Sequence, residues 1–128
     1  MNIPEFLNPS DAITVHKENG TDVSYFIFPE YEIHLNKIAP KSIQEWHFHS
    51  QLEETLLINK GELTCRWIEN GTEKSKRVGP NGVIRVCNSA HTFENETEED
   101  AEFTVFRFVP DGVDKREIIK RDKVIITR

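Results

Sequence analysis

The chain has 128 residues, with 16 Lys and Arg against 22 Asp and Glu for a formal charge of −6. That length suits one domain with a real core rather than two, and the acidic balance argues against a nucleic-acid partner, which calls for a basic face. No apolar run reaches the length of about eighteen residues that crosses a membrane, and the opening MNIPEFLNPSDAI lacks the basic-then-apolar order of a signal peptide, so the cytoplasm is the expected location.

In chain order, a short helical turn is expected near Ser10 to Ile13. Strands follow at Val23 to Phe28, Tyr31 to Ala39, Leu52 to Ile58, Leu63 to Ile68, Val83 to Cys87 and Phe103 to Val109, all rich in β-branched and aromatic residues. Asn19-Gly20, Asn59-Lys60-Gly61, Asn70-Gly71 and Asn81-Gly82 fall between the strands and supply the positive φ angles of tight hairpin turns. The acidic run Glu94 to Glu102 reads as a solvated hairpin loop between two strands. Only Asp114 to Lys120 offers a second helix. Beyond it, Lys123 to Thr127 (KVIIT) has an apolar centre that needs something to pair with or pack on. The pattern as a whole is an all-β sandwich or barrel.

Cys65 and Cys87 are the only cysteines and form no CxxC pair, so they read as reduced thiols rather than a metal clip or redox motif.

The chemistry concentrates between Glu45 and Gly61, EWHFHSQLEETLLINKG. In a strand, residues i and i+2 share a face. His47 and His49 therefore point together, with Glu45 in phase, while Trp46 and Phe48 point the other way. Two inward imidazoles are costly unless something uses their lone pairs. A divalent metal does so, and imidazole with carboxylate suits iron, manganese, nickel, zinc or copper. Alternation sets Glu54 in phase with Leu52, Leu56 and Ile58, the more apolar face, and Glu53 with Thr55 and Leu57. A third nitrogen must come from another strand, which Ala90 to Asn95 offers through His91.

His47-X-His49, four residues, Glu54, six residues, Gly61 resembles the first motif of the cupin superfamily. A degraded second motif runs from Pro80 to Asn95 through His91, with Pro80 at its leading glycine, Val86 at its proline and Asn88 at its later glycine. Asn88 is a tolerable replacement because Asn accepts left-handed backbone angles. The resemblance covers about residues 36–110. It implies a jelly-roll β-barrel (the double-stranded β-helix) in a single domain spanning 1–128, with terminal extensions packed on the barrel. It also implies His47, His49, Glu54 and His91 as ligands of a divalent metal, Fe, Mn, Ni or Zn.

Four protein ligands would saturate a tetrahedral zinc. A six-coordinate ion would keep two positions for a small oxygenated molecule or dioxygen. Similar cupins include dioxygenases, decarboxylases, isomerases and lyases, with Glu45 here the nearest candidate acid or base if it faces inward. The alternatives are a non-catalytic cupin that binds a small ligand and a structural zinc protein. Arg66, Arg85 and Arg107 each fall in a strand and could clamp a substrate carboxylate, but strand phase does not say which faces inward. His16 and His34 read as ordinary surface or strand residues. Outward Trp46 and Phe48 need cover, from N-terminal strands or a partner chain, and cupins commonly pair, so a homodimer is expected.

Overall fold

The computed structural model describes residues 2–128, and they fold into two antiparallel sheets. After a single turn of 3-10 helix at Pro9–Asp11 come β1 (Ile13–His16), β2 (Thr21–Ile27), β3 (Tyr31–Ile38), β4 (Ser42–Ile43), β5 (Glu53–Lys60) and β6 (Leu63–Glu69). Then follow β7 (Thr72–Val78), β8 (Val83–Arg85), β9 (His91–Asn95), β10 (Ala101–Phe108) and the helix α1 (Arg116–Arg121). The larger sheet runs β1-β2-β3-β10-β5-β8 and the smaller β4-β9-β6-β7. This is the all-β jelly roll that the strand pattern and the motif implied.

Alternation builds the core between the sheets. On β5, Glu54, Leu56 and Ile58 are buried while their neighbours are not, as the apolar phase of that strand requires. Phe103 and Val105 on β10 face Leu63 and Phe93 from the other sheet in one apolar cluster with Ile38. Burial of each such large side chain contributes about 1.5–3 kcal/mol.

The turns show which Asn-Gly pairs make hairpins. Asn70 and Gly71 have φ of 50° and 77°, and the β6–β7 ladder closes on Glu69 and Thr72, giving the two-residue loop whose twist matches its strands. Gly61, the last residue of the first motif, has φ of +75°, and a Cβ there would lie 2.7 Å from the Asp100 carbonyl oxygen. Both the angle and the close approach demand glycine. Asn81-Gly82 departs from expectation. It joins β7 to β8, which belong to different sheets, so it is a crossing and not a hairpin.

The acidic run is likewise a crossing rather than a hairpin loop, because β9 and β10 lie in different sheets. Fully buried Asn95 pins it. Its Nδ2 donates to the carbonyls of Ile38 at 3.0 Å and Glu99 at 2.6 Å, and its Oδ1 accepts from the Thr97 amide and hydroxyl. Asn88 takes φ of 60°, the left-handed angle that its place in the second motif calls for.

Three strands were not foreseen. β1 and the two-residue β4 are short, and β7, TEKSKRV, is almost wholly exposed and carries no apolar alternation to reveal it. The second helix is α1, shorter than expected, and none of its residues is buried. The C-terminal extension, expected to pack on the barrel, is exposed at every residue from 109 to 128.

Candidate metal centre

The segment around His47 and His49 is not a regular strand. One bridge holds it, in which the amides and carbonyls of His47 and His91 exchange hydrogen bonds of 3.0 and 2.9 Å. That bridge sets two imidazoles from different parts of the sequence side by side, with ring centroids 4.4 Å apart. The His49 ring lies 5.0 Å from that of His47. One ring nitrogen from each of His47, His49 and His91 falls within 4.8 Å of the other two.

The orientation of the rings is fixed from behind. Nδ1 of His47 donates to the Glu45 carbonyl and Nδ1 of His91 to the Ser89 carbonyl, each at 2.9 Å. Those bonds place the proton on Nδ1 and leave the Nε2 lone pair aimed inward, the tautomer a metal ligand needs. Nε2 of His91 and Nε2 of His49 are both buried without a hydrogen-bond partner. Orphaned buried nitrogens are costly, and here they converge on one point. The three imidazoles fit a divalent ion.

Glu54 is 4% exposed and stands beside the triad. Its Oε2 lies 2.9 Å from Nε2 of His49 and accepts a hydrogen bond of 2.9 Å from Nε of Arg107. The two groups lie at ion-pair distance, although Nε2 of His49 is not satisfied there by a well-aligned hydrogen bond. Glu53 points away. Its carboxylate accepts the Glu54 and Cys87 amides and pairs with Arg85 on the far side of β5.

Burial holds the His49 and His91 imidazoles below their ordinary pKa. For His49 the Glu54 charge opposes this and Arg107 reinforces it. Both rings are therefore neutral near pH 7, as ligation requires.

A small cavity of about 70 Å³ adjoins the triad. Its wall includes His47, Glu54, Arg107, His34, Asn36 and Lys17. Arg107 is the arginine that faces inward, in phase with Phe103 and Val105. Arg66 lies on the outer face, bound to Glu94 and within 4.0 Å of Glu73 and Glu96, and Arg85 pairs with Glu53. Glu45 is exposed, with its side chain at the cavity's edge.

His34 is the residue that strand reading passed over. It is 2% exposed, bonds Glu32 at 2.7 Å and lines the cavity, and burial lowers its pKa. Its phase with Asn36 and Ile38 on β3 was the available signal. His16, by contrast, is an exposed surface residue paired with Asp22.

The two cysteines sit apart from the histidines, along a groove of about 430 Å³ between β7 and β8. Both are free, and burial pushes the Cys65 thiol up to about 11, which leaves it inert.

No protein-family model matches the sequence, and no curated protein matches it. Solved structures do. A predicted oxalate decarboxylase from Thermotoga maritima superposes with a TM-score of 0.71 at 18% identity, over 83% of this chain and 100% of its own. The polyketide cyclase RemF of Streptomyces resistomycificus gives 0.69 at 16%, over 83% and 80%. The Cupin_2 domain of an XRE-family transcriptional regulator from Enterobacter cloacae gives 0.60 at 18%, over 71% and 98%. The fold is therefore that of the cupins. Among the described residues no helix is long and apolar enough to cross a membrane.

Proposed function

We propose that this chain is a metal-dependent cupin enzyme acting on a small oxygenated anion. His47, His49 and His91 hold a divalent ion, Fe, Mn, Ni or Zn, with Glu54 as the anionic ligand. The observation that carries the reading is the pair of buried, unpartnered Nε2 atoms converging beside a buried carboxylate. A divalent ion in that place supplies Lewis acidity towards a bound oxygen atom, or a centre for oxygen activation.

The chain's own groups define what sits next to it. Arg107 uses Nε on Glu54 and has no other carboxylate within 4.0 Å among the described residues. Its outer nitrogens can therefore grip a carboxylate in the cavity, where the fork geometry suits two oxygens. Asn36 and Lys17 line the same wall and favour the same negative charge. Phe93, Phe103 and Val105 are buried and give the cavity its apolar lining. Glu45, at the mouth, is placed to exchange a proton with solvent. Dioxygenation, decarboxylation, isomerisation and lyase chemistry all fit a substrate held by its carboxylate beside such a centre.

A non-catalytic role, binding a small ligand as a sensor or store, is the second reading. The exposure of Glu45 favours it, because an acid–base group is normally shielded. The deciding experiment is elemental analysis of untagged protein, followed by turnover assays with small mono- and dicarboxylates on the metal-loaded form. One equivalent of Fe, Mn or Ni with turnover supports the enzyme. Carboxylate binding without turnover supports the second reading, and protein that takes up no metal refutes the first.

A further inference from the structure

β7 ends the four-stranded sheet and β8 ends the six-stranded one, and among the described residues neither outer edge has a strand beside it. The two sheets part there. Between these edges runs the groove that holds the cysteines, whose volume of about 430 Å³ falls within the range of about 300–1,000 Å³ usual for small-molecule sites. None of His47, His49, Glu54 and His91 lines it.

The floor of the groove is apolar because the core reaches the surface here. Cys65 and Val86 belong to the core cluster, and Trp67, Val78 and Ile84 pack against that cluster while lining the groove. Strand phase explains this: Ile84 is the cross-strand neighbour of buried Leu56, and Cys65 that of buried Phe93.

The rim carries charge against the trend of the chain. Lys76 and Arg85 line the groove and no acidic residue does, in a protein with 22 acidic and 16 basic residues. On β7, Lys74 and Arg77 pair with Glu69 and Glu62, but Lys76 has no carboxylate within 4.0 Å among the described residues. On β8, Arg85 meets Glu53 through a single nitrogen at 3.5 Å. Each bordering strand therefore presents a cation with donors to spare.

We propose that this groove is a second ligand site, for an apolar monocarboxylate such as a medium-chain fatty acid or an aryl acid. The apolar body lies on Trp67, Val78 and Ile84, where leaving water drives it in. The carboxylate meets Lys76 and Arg85 at the rim. An ammonium of the same shape meets like charge there, and an alcohol forgoes the ion pairs. The site is independent of the histidine centre and fills whether or not a metal binds.

Calorimetric titration of the metal-free protein tests this, together with the emission of a Trp46→Phe variant in which Trp67 is the sole tryptophan. From butanoate to octanoate, affinity should rise by up to about fourfold for each added CH₂, and Trp67 emission should shift to the blue. Octylammonium should bind at least about tenfold more weakly than octanoate. Tighter binding of 2-naphthoate than of octanoate identifies an aryl acid, and the reverse a fatty chain. Lys76→Glu/Arg85→Gln should lower octanoate affinity at least about tenfold while octanol binding persists. Ile84→Trp fills the groove and should abolish binding; if it fails to fold, the variant at the two exposed cations carries the test. His49→Ala should bind octanoate as the wild type does. Absence of octanoate binding, or equal affinity for octanoate and octylammonium, overturns the proposal. So does loss of binding in His49→Ala, which would put the carboxylate in the histidine cavity.

Discussion

Arg107 on β10 and Glu54 on β5 are direct cross-strand partners, joined by a hydrogen bond of 2.9 Å from Nε to Oε2. The pair places a half-buried cation against a carboxylate that also leans on His49, so one arginine orients the acid of the candidate metal centre and faces the cavity with its remaining nitrogens. Replacing Arg107 with Gln leaves Glu54 buried beside the histidines without its counter-charge. Because Arg107 is partly solvated, the expected loss is about 1–2 kcal/mol rather than the full cost of a broken buried pair. Urea unfolding of the metal-free protein measures it, and an unchanged midpoint would show that the pair is only a surface contact.

The adjacent glutamates should behave differently. Glu54→Gln removes the only anionic group at the triad while keeping its shape, and metal affinity should fall by at least about tenfold. Glu53→Gln should leave metal affinity unchanged, since its carboxylate serves the Cys87 amide and Arg85 instead. Calorimetric titration of both variants under the same conditions makes the comparison. Equal losses would contradict the opposed orientations of the two side chains.

His47→Ala and His91→Ala should each lose most bound metal and retain the β-type far-ultraviolet circular dichroism. The core cluster of Ile38, Leu56, Phe93 and Phe103 includes none of the imidazoles. Retention of a full equivalent of metal in both variants would refute the assignment.

Acid should weaken the metal-free fold. Burial keeps the His34, His49 and His91 imidazoles below their ordinary pKa of 6.5. Above pH 6.5 both folded and unfolded chains are neutral there, and stability from this source is complete. As pH falls below 6.5 the unfolded chain takes up these protons first, so stability declines towards the lower folded values. His34→Gln removes one such group without touching the triad, and its stability should fall less steeply between pH 6.5 and 5. A steeper fall would mean that His34 is charged in the native state.

Asn95→Ala should cost about 2–3 kcal/mol, because it strips partners from the Ile38 and Glu99 carbonyls and the Thr97 amide at a fully buried position. Thermal unfolding checks this, and a near-neutral result would show that water replaces the side chain.

Much of the site was already written in the sequence. Side chains alternate along a strand whatever it packs against, so Glu54 had to follow Leu56 and Ile58 inward. His47 and His49, by contrast, lie outside any regular strand and are brought together at the bridge to His91 rather than by strand phase. Asn70-Gly71 fixed a hairpin by its backbone angles alone, and Gly61 its own turn. Phase, however, gives relative and not absolute direction. On β10, Phe103 and Val105 compete with Phe106 and Phe108, and only packing against the second sheet turned Arg107 inward. The same burial made His34 a cavity residue, and the pairing of strands across two sheets turned the Asn81-Gly82 and acidic segments into crossings. The meeting of His91 with His47 depends on one backbone bridge between residues far apart in the chain. Local chemistry decides which atoms can act, but only the closing of the two sheets decides which of them meet.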